Sequence, residues 1–129
     1  MSKTVVLRLK PKEDLKQKLK ECSIQSGSVI SAVGSLRSMT VRVADGKTIE
    51  EHHENMEVIS LSGTITQGHV HIHIAGINGK MEVFGGHLMD GCIVNTTMEI
   101  VLLDFSDEYD NSRAYDEETG YDELFVTKR

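Results

Sequence analysis

There is no tryptophan in this chain, and only three tyrosines and three phenylalanines among 129 residues. The length is that of one domain spanning 1–129 and is enough for a sizeable core, so that core has to be aliphatic. A single proline, in Leu9-Lys10-Pro11-Lys12, leaves few forced breaks. Two cysteines, Cys22 and Cys92, form no CxxC pair and no disulfide framework, which points to a reducing compartment. Both read as small buried hydrophobes rather than nucleophiles. Long apolar runs are missing as well. Ile100-Val101-Leu102-Leu103 is far too short to span a bilayer, and the opening Met1 to Arg8 lacks the apolar segment of a signal peptide. The expectation is a soluble, cytoplasmic protein with no membrane partner. No GxSxG elbow, phosphate-binding glycine loop, internal repeat or low-complexity linker occurs.

Charge is uneven. The net charge is −6, yet Lys3, Arg8, Lys10, Lys12, Lys16, Lys18 and Lys20 crowd the start, while the segment 104–123 carries Asp104, Asp107, Glu108, Asp110, Asp116, Glu117, Glu118, Asp122 and Glu123. The acidic segment repels a phosphate backbone, and Lys12, Lys16 and Lys20 at four-residue spacing read as a solvated helix face. Composition gives nucleic-acid binding no support.

The apolar pattern is mostly that of strands. Residues 4–9 read as a first strand stopped by Pro11. Residues 14–26 read as the principal helix, with Leu15, Leu19 and Cys22 on one stripe and Gly27 as its stop. Strands follow at 29–33, 39–44, 58–66, 69–75, 80–84 and 93–103, with turns at Asp45-Gly46 and Asn78-Gly79, and Leu124-Phe125-Val126 as a last edge strand. Asn78-Gly79 closes a hairpin between 69–75 and 80–84. Glu50-Glu51-His52-His53-Glu54 reads as a solvated loop. The pattern predicts an α+β domain, mainly antiparallel β-sheet with one principal helix.

The most informative feature is His69-Val70-His71-Ile72-His73-Ile74, with another histidine at the end of Gly85-Gly86-His87. Successive strand residues point to opposite faces, so the aliphatic set builds core while the histidines line the other face. Alternate residues sit about 7 Å apart at Cα, a gap that imidazoles can close around a metal at about 2.0–2.1 Å. Gly85 and Gly86 permit a turn that aims His87 back at the strand; a plain tight turn or bulge is the alternative. With the alternating His69, His71 and His73, His87 thus offers the last member of a three-histidine set for a first-row metal. An ordinary row of strand histidines without metal is the competing interpretation.

Taken together, Glu57-Val58-Ile59-Ser60-Leu61-Ser62-Gly63-Thr64-Ile65, His71-Ile72-His73, Gly85-Gly86-His87-Leu88, Gly91-Cys92 and Thr97-Met98-Glu99-Ile100-Val101-Leu102 resemble the PPC domain, conserved in plants and prokaryotes. The tail from Tyr115 to Leu124 is similar to the ending of its stand-alone bacterial and archaeal members. The resemblance implies a homotrimeric α/β domain with a mainly antiparallel sheet, in which His71, His73 and His87 match the metal-associated histidines, the metal usually being zinc. His69 falls outside the family pattern, as fourth ligand, neighbour of a ligand or surface residue. Glu99 matches a family position, as a buried hydrogen-bonded group or a carboxylate beside the metal. The family also carries a DNA-binding label, but the Arg-Gly-Arg-Pro core of the plant AT-hook is missing. The plant Gly-Arg-Phe-Glu-Ile-Leu motif is replaced by Glu54-Asn55-Met56-Glu57-Val58-Ile59.

Two functions follow. One is a trimeric, metal-bearing binding or regulatory module whose metal serves assembly or the recognition of a small anionic ligand. The other is a zinc-dependent hydrolase or lyase using water at the open fourth position. With Glu99 and His69 the sole candidates for acid/base work, the module is the preferred expectation.

Overall fold

The computed structural model describes residues 1–129 as nine strands and one short helix. Strand β1 (Lys3–Leu9) pairs antiparallel with β7 (Ile93–Asp104), so Val5, Leu7 and Leu9 face inward beside Ile100, Leu102 and Met98. The polar residues Thr4 and Arg8 face outward, as the alternation of the sequence requires.

Helix α1 (Leu15–Glu21) is shorter than the apolar spacing predicts. Its start is fixed twice by Asp14: the Gln17 N–H donates to Asp14 Oδ1 at 3.1 Å, and the Gly91 N–H donates to Asp14 Oδ2 at 2.8 Å. It ends at Cys22 because Ser23 takes a left-handed φ of 53°, not because of Gly27. Gly27 already lies in a strand, where an added Cβ would sit 2.7 Å from Leu103 O. Leu15 and Leu19 are fully buried, so one face of this single short helix completes the core.

The stretches 29–33 and 39–44 belong to one strand, β2 (Ser26–Arg42). It bends through register shifts between Val29 and Ser31, Gly34 and Leu36, and Leu36 and Ser38. Its first part pairs with β7 and β4 (Met56–Thr66); its last residues pair with β3 (Ile49–His52) and with β6 (Val83–Leu88). The expected loop at 50–54 is therefore partly strand β3, whose residues are nevertheless largely exposed. The turn joining β2 and β3 matches expectation, with Gly46 at φ 74° and the Lys47 and Thr48 N–H groups donating to Asp45 Oδ1.

Strand β5 (His69–Asn78) runs between β4 and β6, giving the sheet order β1-β7-β2-β4-β5-β6. The added β2–β6 pairing closes β2, β4, β5 and β6 into a ring around an aliphatic core. Val70, Ile72 and Ile74 point into it, at 2%, 0% and 2% exposure. Asn78 closes the β5–β6 hairpin by accepting from the Lys80 and Glu82 N–H groups. The polar tail forms a separate hairpin, β8 (Ser112–Asp116) with β9 (Tyr121–Phe125), instead of an edge strand on the main sheet. No helix is long and apolar enough to cross a membrane.

Candidate metal centre

Strand geometry alone assembles the site. His71 and His73 are alternate residues of β5 and share its outer face. His87 is the register partner of His73 across the β5–β6 pair, and it pairs on its other side with Arg42 of β2. Register partners in an antiparallel pair place their side chains on the same face. Arg42, His87 and His73 therefore form a row across three strands, with His71 one step along β5.

Gly85 and Gly86 do not make the turn expected of them. They lie inside β6, opposite Ala75 and Ile74. A Cβ on Gly85 would meet Ile74 O at 2.4 Å, and one on Gly86 would meet Arg42 O at 2.7 Å. The missing side chains let β6 lie close between β5 and the end of β2, which is what brings His87 beside His73.

The three rings converge: their centroids are 5.4–5.9 Å apart, and one ligand nitrogen from each lies within 4.8 Å of the others. Three nitrogens around a tetrahedral metal sit about 3.3 Å from one another, so small side-chain rotations close the set. Desolvation is the largest influence on all the perturbed rings. It pushes His87 down to about 4, helped by the charge of Arg42, and lowers His71, helped by Arg113. Both rings are held neutral, the form that ligates metal. The donor set thus fits a borderline divalent ion.

His69 lies one step farther along β5, exposed and opposite Thr66, and is not part of the converging group. Glu99 is exposed on β7, paired with Arg8 and Val33, and its role as a carboxylate beside the metal is not carried by the fold. His52 stacks on Phe84 at a centroid distance of 4.0 Å instead of joining a metal cluster with its acidic neighbours. Cys92 is fully buried, and desolvation raises its thiol to about 11; Cys22 is raised by the same cause. Neither is an activated nucleophile.

Two residues that the sequence did not single out border the triad. Arg42 lines a pocket of about 610 Å³ together with all three histidines, and Arg113 of β8 donates to Thr64 Oγ1 at 3.4 Å, Thr64 being the register partner of His71. The Nε atoms of both arginines are buried with no hydrogen-bond partner. Neither arginine stands in a local motif, and it is long-range pairing that brings them to the site. A second pocket, of about 690 Å³ and lined by Val33, Asn55 and Met81 among others, contains no histidine.

The model of the Plants and Prokaryotes Conserved (PCC) domain matches residues 1–106. The chain belongs to this family. A protein of known structure from Archaeoglobus fulgidus, described as the metal-containing protein AF0104, is 30% identical with a TM-score of 0.75, covering 95% of this chain and 93% of that one. A hypothetical protein from Salmonella enterica is 29% identical with a TM-score of 0.94, over 100% of this chain and 96% of that one. The bifunctional protein GlmU of Synechococcus sp. strain JA-3-3Ab is 44% identical over 126 residues, 95% of this chain and 20% of GlmU. The PCC chain thus spans about one fifth of the length of the curated relatives it matches.

Proposed function

We propose that this PCC-domain protein is a homotrimeric metal-binding module in which His71, His73 and His87 hold one divalent transition metal per subunit, zinc by preference. The observation that carries it is the convergence of three ligand nitrogens within 4.8 Å, with desolvation lowering the pKa of His71 and His87 and so favouring their neutral, ligating form. The description of a 30% identical relative as metal-containing supports the same reading. Bound there, zinc supplies an electrophilic centre with an open fourth position. The chain's own contribution is to fix the rings by strand register and to favour the neutral form of His71 and His87.

A binding or regulatory role is favoured over a hydrolase or lyase. No Asp or Glu lines the pocket beside the triad, where a carboxylate would serve as general acid or base. Trimer formation is supported by the outer sheet face: Val6, Ile30, Val33 and Ile59 are 72%, 56%, 60% and 56% exposed on β1, β2 and β4. Large apolar patches on a protein surface commonly mark interaction sites.

The test is zinc analysis of untagged protein combined with light scattering. Expected are one zinc per chain, its loss in His73→Ala but not in His52→Ala, and about three times the 14.3 kDa subunit mass. A zinc-free protein after loading, or a monomer at micromolar concentration, would overturn the corresponding half.

A further inference from the structure

We infer that the pocket beside the triad takes a small molecule with one carboxylate and an apolar body, and that Arg42 holds the carboxylate. The inference rests on the triad being a metal site and names what that site receives. Arg42 shares the row of His87 and His73, its Nε is buried without a hydrogen-bond partner, and it takes part in none of the chain's ion pairs. Buried polar groups are almost always paired in native proteins, and an unmet charged donor is among the costliest to leave. A guanidinium at the wall of a pocket therefore points to a partner from outside the chain, and its planar fork matches a carboxylate.

The remaining walls define the rest of the ligand. Val43, Ala44, Ala75 and Val83 are aliphatic, and no Lys, Ser or Thr lines the pocket. A phosphate, with more oxygens to satisfy, finds too few donors there; an apolar body finds a wall. The volume of about 610 Å³ lies within the usual range for small-ligand sites.

Charge points the same way. Histidine binds a metal through its neutral imidazole, so a divalent ion held by the triad brings two positive charges that its ligands do not offset. An anion is the natural complement.

Calorimetric titration of the zinc-loaded protein with acetate, butanoate, hexanoate, octanoate and inorganic phosphate tests this, with zinc content read on the same samples. Affinity is expected to rise with chain length, approaching roughly tenfold per two buried methylenes, with phosphate weaker than hexanoate. Arg42→Met should weaken hexanoate binding by about tenfold or more at unchanged zinc content, with Arg42→Lys between them. If Arg42→Met does not fold, Arg42→Lys carries the comparison. Unchanged hexanoate affinity in the variants, or phosphate binding as tight as hexanoate, overturns the inference. Zinc-loaded wild type that binds no hexanoate defeats it while sparing the metal reading, whereas failure to load zinc defeats the metal reading itself.

Discussion

His87 is governed by its surroundings more than by its identity. An ordinary imidazole, with a pKa of about 6.5, would surrender metal below roughly pH 6. Desolvation, then Arg42, pushes His87 down to about 4, so protons compete for it only in more acid solution. Zinc release, followed with a chromophoric chelator at stepped pH, should therefore have its midpoint below pH 6; release complete at pH 6.5 would contradict the burial argument. The same shift fixes a stability slope in metal-free protein. Between about pH 6.5 and 4 the unfolded chain protonates this ring and the folded chain does not, so stability falls as pH falls through that window. The drop in melting temperature should be shallower in His87→Ala; an identical slope would show that the ring does not contribute. His69→Ala should keep its zinc, since His69 stands outside the converging set. At this scale, the alternation of His71 and His73 was readable from period two alone. Arg42 and Arg113 were not, because they reach the site through pairings with residues more than forty positions away.

Strand β6 is where sequence and structure diverge most usefully. Two adjacent glycines ahead of a histidine suggest a turn by local rules, yet here they are strand residues whose missing Cβ atoms let three strands approach. Gly86→Ala tests this. Its Cβ would lie 2.7 Å from Arg42 O and 3.2 Å from Val41 Cβ, both on a strand that cannot yield freely. The expected cost is about 1–3 kcal/mol in urea unfolding, accompanied by weaker zinc binding as His87 moves off its row. Full stability with native zinc affinity would show that β6 has slack. Elsewhere the elements were legible where alternation is long, as in β1, β4 and β7. They were not legible where one strand bends: β2 reads as two segments because its bulges interrupt the period. The helix stop was missed because Ser23, not a glycine, takes the left-handed conformation. The β8–β9 hairpin was hidden because it packs few apolar residues and so leaves little pattern.

For the molecule as a whole, net charge and assembly make the predictions. With a charge of −6 and no AT-hook, binding to duplex DNA at physiological salt should be non-specific, with Kd of about 10⁻⁴ M or weaker; nanomolar, sequence-selective binding in a mobility-shift assay would reverse that view. Val33→Lys, placing a charge on the apolar outer face, should lower the solution mass toward 14.3 kDa. Unchanged mass would move the contact surface elsewhere. The family and the sheet were legible from motifs spread along the chain, whereas subunit number is a property of a surface that no single strand displays. Native mass spectrometry of the untagged protein joins these threads in one spectrum. The account predicts three chains carrying three divalent metal ions, and three chains carrying none once His71, His73 and His87 are all replaced by alanine. Equal metal content in the two proteins would contradict it.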